Sequence, residues 1–143
     1  DAMESRGLGD VYKRQDLHPL KRLTDGARHT RFLATETPHS ARKRWIAGHL
    51  KPAGSIIVDD GAATALVQGN SLLPAGVTAV EGDFTRGDAV WIKTAAAATL
   101  GIGLSSYDAA DATKLMGKNT KDITSILGYA GRTALIHRDD MVL

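Results

Sequence analysis

The chain has 143 residues, no cysteine and a formal net charge of +2. This length favours one domain, with room for a tail. The absence of cysteine excludes disulfides, thiolate metal sites and cysteine nucleophiles, and it is typical of a cytoplasmic protein. No apolar run approaches the roughly 20 residues that a membrane helix needs, and no secretory signal pattern opens the sequence. We therefore expect no membrane contact.

Charge is unevenly distributed along the chain. Residues 16–52 carry eight Lys or Arg against three Asp or Glu, a net charge of +5, whereas residues 53–143 carry seven against ten, a net charge of −3. Phosphate contacts by basic residues normally supply most of the affinity for nucleic acid. The acidic balance of residues 53–143 therefore counts against a strong nucleic-acid binder.

The pattern predicts three segments. Residues 1–15 have no sustained periodicity, and their ending looks like a translated sequencing adapter, so we interpret them as a non-native or disordered leader without function; a disordered native linker is the alternative. Residues 16–52 are polar and irregular, and the basic run from Arg42 to Ile46 could start an edge strand or a helical turn. Residues 53–143 hold the predicted domain.

The domain is predicted to open with a strand and a helix. Ser55 to Val58 is apolar enough for a short buried strand. Asp59 or Asp60 can cap the N-terminus of a helix over residues 62–68, because a carboxylate there accepts the free amide hydrogens. Gly69 follows at the position where glycine commonly ends a helix.

A glycine loop and two strands follow. The cluster from Gly69 to Gly76 predicts a tight, irregular loop. The next residues alternate, with Val77 and Ala79 expected on one face of a strand and Thr78 and Val80 on the other. A turn at residues 85–88 then leads into a second strand over residues 89–94. We expect Val80, Phe84, Trp91 and Ile92 to share one core.

The remaining elements complete an α+β fold, mainly a small β barrel with two or three short flanking helices. Residues 100–105 read as a strand whose glycines allow a close neighbour. Helices are expected from Asp108 to Met116 and over residues 121–127, the first capped by Asp108, and Gly128 ends the second. A last strand is predicted over residues 133–137.

Patterns for catalysis are mostly missing. Gly101-x-Gly103 lacks the third glycine of a nucleotide-binding loop and is better explained by close packing. The pair Asp59-Asp60 could act in acid–base catalysis, but a helix N-terminus explains it more simply. The histidines lack the spacing of metal ligands. The sequence therefore predicts no catalytic, cofactor-binding or metal residue.

The loop, strand and turn pattern resembles a PUA domain, and the flanking residues are similar to the C-terminal region of bacterial glutamate 5-kinases. The residues that carry the resemblance are Arg42 to Ile46, Asp59-x-Gly61-Ala62, Ser71 to Pro74 with Gly76-Val77, Gly82-x-Phe84-x-Arg86-Gly87-Asp88, Ser105-x-Tyr107, Ile126 to Tyr129 and His137 to Met141. A generic PUA domain would share only the part between Ser71 and Asp88.

This resemblance implies a division of the chain and a role in metabolism. Residues 16–52 would be the tail of the amino-acid-kinase domain and its linker, and residues 53–143 the PUA domain. Glutamate 5-kinases transfer the ATP γ-phosphate to the side-chain carboxylate of glutamate, the first step of proline biosynthesis. ATP and magnesium are expected for the kinase domain, none of whose catalytic motifs has a counterpart here. The chain alone is therefore predicted to be inactive.

Three classes of function stay open: an accessory domain of the kinase, an RNA-binding module, and an independent enzyme, which the missing site residues disfavour. The partner of an accessory domain would be the kinase domain, in a parent enzyme that can be oligomeric. PUA domains engage RNA through the helix after the first strand and the glycine loop. The RNA-binding candidates are then Gly69, Ser71, Leu72, Leu73, Pro74, Gly76 and Val77. Because no Lys or Arg lies between Pro52 and Arg86, we expect at most weak RNA binding.

Overall fold

The computed structural model describes residues 9–11, 17–32 and 37–143, which fall into two compact units divided between Ala41 and Arg42. In the first unit, strand β1 (Gly9–Val11) pairs antiparallel with β2 (Thr30–Phe32), and helix α1 (Pro19–Thr24) lies between them in sequence. Strand β1 falls within the predicted leader, and the rest of residues 1–15 lies outside the described residues. The interpretation of residues 1–15 as a non-native or disordered leader stays a prediction, as do the other segment boundaries.

Helix α2 (Pro38–His49) includes the basic run from Arg42 to Ile46. Of the two alternatives for that run, the helix is the one observed. Thr37 precedes the helix, and its Oγ1 accepts a hydrogen bond from the Ser40 amide at 3.2 Å, while Pro38 occupies the first turn. Both features favour a helix start, since proline needs no amide hydrogen bond there.

The second unit is built on a five-stranded mixed sheet. Its strands are β3 (Gly54–Val58), β4 (Val77–Gly82), β5 (Ala89–Thr94), β6 (Thr99–Leu104) and β7 (Met141–Val142). Its helices beyond α2 are α3 (Asp60–Val67), α4 (Ala109–Leu115) and α5 (Ile123–Leu127). The strand order is β4-β3-β5-β6-β7, with β3 and β5 parallel and the other pairs antiparallel. This arrangement confirms the predicted α+β class.

The two edge strands of this sheet are joined by the segments that precede them. Leu72 and Ile136 form an isolated antiparallel bridge, in which the Leu72 amide donates to the Ile136 carbonyl at 2.9 Å. A short 3-10 helix follows each bridge residue, over Pro74–Gly76 and Arg138–Asp140, and each leads directly into an edge strand. The bridge therefore ties the β4 side of the sheet to the β7 side, as a small pseudo-barrel requires.

The predicted last strand over residues 133–137 is wrong. Only Ile136 pairs there, and the last strand is β7. The amides of Leu135 and Ile136 both donate to the carbonyl of Leu72, at 2.8 and 3.3 Å, so the backbone turns instead of extending along a neighbour. Leu135 and Ile136 are fully buried, which explains why the segment is as apolar as a strand.

The expected alternation of faces in β4 is interrupted by a bulge. Val58 pairs with Val77, but Ile57 pairs with Ala79, so Thr78 is the extra residue. As a result Val77 and Val80 both pack on the main core, although strict alternation had placed them on opposite faces. The Thr78 hydroxyl donates to the Ile57 carbonyl at 3.2 Å and stabilises the distortion.

The main core contains Phe84 and Ile92 with Val80 at its margin, as expected, but Trp91 is not part of it. Val90 and Ile92 are fully buried, whereas Trp91 remains 39% exposed. Since successive side chains of a strand point to opposite faces, Trp91 lies on the outer face of β5. Tyr107, only 3% exposed, is the aromatic residue of the core that the sequence did not indicate.

The outer face of the sheet is covered in part by helix α2. Ile46 is fully buried and packs with Ala89 of β5 and Ile102 of β6. Arg42 of the same helix donates from Nε to Asp140 Oδ1 at 2.8 Å, next to β7. The part of α2 from Arg42 onwards therefore belongs structurally to the sheet.

The helix caps confirm the predicted ones. Asp59 is the N-cap of α3, with Oδ1 accepting from the Ala62 amide at 2.7 Å, and Asp108 caps α4 through the Asp111 amide at 2.8 Å. Asn119 caps a 3-10 turn that leads into α5, and Gly128 ends α5 with a φ of 78°. In the described part of the chain, no helix is long and apolar enough to span a bilayer.

Candidate functional site

The glycine loop begins with a tightly bonded helix end. At the C-terminus of α3, the Gly69 amide donates to the Leu66 carbonyl at 2.8 Å and the Asn70 amide to the Ala65 carbonyl at 3.1 Å. Gly69 has a φ of 85°, the left-handed conformation that this pair of hydrogen bonds requires and that glycine adopts without strain. The chain therefore reverses at a fixed point and returns along α3.

The far end of the loop is pressed against the start of the same helix. A Cβ atom on Gly76 would lie 2.4 Å from the Cβ of Ala62, so only glycine allows this approach. The Gly76 carbonyl accepts a hydrogen bond from the Asp59 amide at 3.0 Å. Loop and helix together enclose an open groove with a volume of about 560 Å³, which we call the glycine-loop groove.

The glycine-loop groove is mostly apolar. Its walls are Asp59, Gly61, Ala62, Ala65, Asn70, Ser71, Leu72, Leu73, Ala75 and Gly76. Of the described residues that line it, Asp59 is the single charged one, and its carboxylate is occupied by capping α3. A groove with this lining favours an apolar or neutral partner over a phosphate, because an approaching anion would meet a carboxylate and no cation.

The seven RNA-binding candidates are brought together but differ in accessibility. The side chains of Leu72, Pro74 and Val77 are buried in the domain, so they hold the loop in place. Leu73 is 45% exposed, and Gly69 is exposed as well. Ser71 and Gly76 are partly buried at the wall of the groove. The accessible subset is therefore Gly69, Ser71, Leu73 and Gly76.

The structure also brings the backbone of two basic residues next to the loop, although neither residue lines the groove, and sequence reasoning missed both. The Arg138 amide donates to Ser71 Oγ at 3.0 Å, across 67 positions of the sequence. On the other side, the Gly117 amide donates to the Pro74 carbonyl at 2.9 Å, and Lys118 follows directly. Both cationic side chains are exposed. In the sequence, Arg138 stands just after an apolar segment, and this position is the one indication that it lies near other elements.

The remaining chemical candidates have structural roles. A Cβ atom on Gly101 would lie 2.1 Å from the Val142 carbonyl oxygen, and one on Gly103 would lie 2.7 Å from Ile136 Cγ2. Both glycines therefore serve the close packing of β6 and do not form a phosphate loop. Within the described ranges, no three His, Asp or Glu side chains are grouped to hold a metal ion.

The sequence matches the PUA domain family over residues 54–127. It is 49% identical over 133 residues to glutamate 5-kinase of Paramagnetospirillum magneticum, covering 93% of this chain and 36% of the relative. For the glutamate 5-kinases of Sinorhizobium fredii and Jannaschia sp. the identities are 55% and 56% over 126 residues, covering 88% of this chain and 32% and 34% of those proteins. The chain thus spans about a third of the length of these relatives.

Solved PUA structures also match. A PUA domain from Aeropyrum pernix is 30% identical with a TM-score of 0.45, covering 59% of this chain and 41% of that one. A conserved PUA domain protein from Thermoplasma acidophilum is 20% identical with a TM-score of 0.41, covering 65% and 61%. The family match extends over more than half of the chain and includes strands β3 to β6 with helices α3 and α4. On that match, the chain belongs to the PUA domain family.

Proposed function

We propose that this chain supplies the PUA accessory domain of a cytoplasmic glutamate 5-kinase, the enzyme that phosphorylates L-glutamate in proline biosynthesis. The observation that carries the proposal is the identity of about 50% to glutamate 5-kinases along nearly the whole chain. The partner is then the amino-acid-kinase domain, which holds the ATP, magnesium and glutamate sites. The domain described above contributes to activity or assembly without chemistry of its own.

The packing of α2 from Arg42 onwards makes this part of the helix a part of the accessory domain. Ile46 is buried against β5 and β6, and Arg42 is bound to Asp140, so the end of this helix is fixed on the sheet. In this proposal the accessory domain therefore begins within α2 and not at β3.

The proposal is tested with a chimera of the Paramagnetospirillum magneticum kinase in which the segment matching this chain is exchanged for it. We expect the chimera to retain the glutamate KM, the kcat and the oligomeric mass of the parent enzyme. The kinase truncated before that segment should differ from the parent enzyme in at least one of these three quantities. A chimera carrying Leu135→Asp should behave like the truncation, because this side chain is fully buried. The chain by itself should give no glutamate-dependent ADP release.

Two outcomes would contradict the proposal. One is a folded chimera, judged by its melting transition, that behaves like the truncated kinase. The other is a truncated kinase that matches the parent enzyme in KM, kcat and oligomeric mass, since the domain would then contribute nothing to this enzyme.

RNA binding is the second candidate, either through the basic run of α2 or through the glycine-loop groove, next to which the backbone of Lys118 and Arg138 lies. With so few phosphate contacts, binding should lie near the non-specific range of about 10⁻⁴ M and weaken as salt rises. We expect it to depend on the basic run: a triple Arg42/Lys43/Arg44→Ala change should remove it. This expectation is tested by titrating tRNA against the parent and both variants. Tight, salt-tolerant binding by the parent, weakened more by the double change Lys118→Gln/Arg138→Gln than by the triple change, would instead identify a domain that recognises RNA through the glycine loop.

A further inference from the structure

A second cavity lies at the opposite end of the sheet from the glycine-loop groove. Strands β3 and β5 are parallel, so the groove, where β3 ends, is far from the point where β5 begins and β6 ends. At that point a cavity of about 300 Å³ is lined by Arg86, Tyr107, Asp108, Tyr129 and Arg132, among others. We call it the arginine cleft. It is more enclosed and more polar than the groove.

Arg86 is presented to the arginine cleft by a rigid turn. The Asp88 amide donates to the Thr85 carbonyl at 3.1 Å, and the Gly87 amide to the Ser105 carbonyl at 2.8 Å, which fixes the turn on the end of β6. The Asp88 carboxylate accepts from the Thr85 amide and hydroxyl at 2.8 and 2.9 Å. These two bonds lower the pKa of Asp88, the amide contributing most. The nearest acid along the chain is therefore engaged by Thr85.

Arg86 consequently has no hydrogen-bond or ion-pair partner in the described part of the chain. Its guanidinium group is exposed at the rim of the cleft. A free guanidinium beside an enclosed polar cavity can bind an oxyanion through two parallel hydrogen bonds.

The backbone of Arg132, which also lines the cleft, is fixed by Tyr107. The Tyr107 hydroxyl donates to the Arg132 carbonyl. A Cβ atom on Gly131 would lie 2.3 Å from the Tyr107 hydroxyl oxygen, so glycine is needed for the chain to pass there. Burial raises the pKa of Tyr107, and the charges of Arg86 and Arg132 both oppose that rise. Both arginines therefore lie close enough to the Tyr107 hydroxyl to influence its pKa.

The acids around the arginine cleft are already bound. Asp108 caps α4 through the Asp111 amide. Asp111 accepts from Lys114 at 2.7 Å and from the Tyr129 hydroxyl at 2.6 Å. Asp140, the ion-pair partner of Arg132, lies 2.6 Å from Arg42 but 3.9 Å from Arg132. Arg132 keeps only this longer ion pair with the second oxygen of Asp140, and Arg86 is the cleft arginine without an ion-pair partner among the described residues.

We propose that the arginine cleft binds a small oxyanion with at least two negative charges, a phosphate ester or a dicarboxylate, between the guanidinium groups of Arg86 and Arg132. The volume of about 300 Å³ is at the lower limit of ordinary ligand pockets and suits a metabolite-sized anion. This site does not depend on the glutamate 5-kinase proposal, since it rests on the geometry of this domain alone.

The test is calorimetric titration of the full chain with inorganic phosphate, succinate and a short single-stranded RNA, each at an ionic strength matched with sodium chloride. We expect phosphate or succinate to bind with a single site, and the better of the two identifies the anion class. Arg86→Gln and Arg132→Gln should each weaken that binding about tenfold, the loss typical of one charge-assisted hydrogen-bonded pair. Both side chains are exposed, so the variants should melt like the parent.

Arg138→Gln is the matched control, because this arginine is also exposed but lies beside the glycine loop. It should leave anion binding unchanged. The proposal is overturned if neither anion binds better than chloride, if Arg138→Gln weakens binding as much as the cleft variants, or if both cleft variants bind like the parent. It is also overturned if RNA binds through Arg86 and Arg132 more tightly than either small anion, because the occupant would then be a nucleic-acid backbone.

Discussion

The two ends of the sheet differ in how they are built and in what they can bind. The glycine-loop groove is formed by one continuous segment, from Asp59 to Gly76, and its wall is apolar with one committed carboxylate. The arginine cleft is assembled from three separate segments, around Arg86, Tyr107 and Arg132, and its polar wall carries two cations. The end with the recognisable motif is therefore the end with less electrostatic attraction for an anion.

This difference separates two properties of a binding site: the path of its backbone and the position of its charged side chains. A fixed backbone path needs glycines at particular positions, such as Gly69 and Gly76, and these can be recognised in the sequence. Attracting a charged ligand needs side chains from several segments to converge, and this depends on the fold. Substitutions at each end can show whether the two ends depend on one shared core or whether each is stabilised by its own contacts.

Phe84→Ala should have the largest effect and should damage both ends. Phe84 is 2% exposed, and its Cδ1 would lie 2.7 Å from a Cβ on Gly54, so the ring fills the core where β3 begins. Truncating a buried phenylalanine typically costs about 3–5 kcal/mol. Urea unfolding measures this loss. Trp91→Ala is the control, and its cost should be clearly smaller because Trp91 is 39% exposed. Equal costs would contradict the position of Trp91 on the outer face of β5.

Gly76→Ala should affect the groove end alone, at a cost of about 1–3 kcal/mol for overpacking. The added methyl group would collide with Ala62, 2.4 Å away. Combining it with Ala62→Gly removes the collision, so the double variant should be more stable than the sum of the two single changes predicts. Strict additivity in urea unfolding would show that loop and helix do not touch as described.

The two aspartate caps allow a matched comparison of the ends. Asp59→Ala at the groove and Asp108→Ala at the cleft each remove one carboxylate-to-amide hydrogen bond, of 2.7 and 2.8 Å. Each should cost about 1 kcal/mol. Asp83→Ala, at an exposed loop position, serves as the control and should be near neutral in the same thermal melts. A cap variant as stable as this control would show that its helix end is not held by the side chain.

The smallest expected effect is a dependence on pH at the cleft end. The hydrogen bond to Asp111 raises the pKa of Tyr129 from 10.0 to about 12. A pKa raised by folding means that this contribution to stability is complete below pH 10 and is lost as the pH rises toward 12. Hydrogen bonds from Lys114 and then Tyr129 lower the pKa of Asp111 below 3.8, so its contribution is present above that pH and lost as the solution becomes more acidic.

The difference in tyrosinate absorbance between the parent and Tyr129→Phe measures this pKa directly. The difference should titrate near pH 12, while the Asp59 cap at the other end should be unaffected by the substitution. A difference that titrates near 10.0, the ordinary value for tyrosine, would contradict the bond between Tyr129 and Asp111.

Local rules were enough to predict most of the elements. The caps at Asp59 and Asp108 and the turn at residues 85–88 follow from interactions between residues at most five positions apart. The same holds for Gly69 and Gly128, whose positive φ angles end α3 and α5. These features were correct because neighbours in sequence supply both the donor and the acceptor.

What only the tertiary structure decided involves partners that are far apart in sequence. The bulge at Thr78 depends on pairing with β3, the outward position of Trp91 on the register of β5, and the short β7 on its pairing with β6. Neither the approach of Arg138 to Ser71 nor the position of Arg132 and Arg86 around one cleft has a signature in local composition. The sequence by itself determined the backbone path of the glycine loop, whereas folding determined where the cations lie, because charge placement depends on contacts that no local pattern encodes.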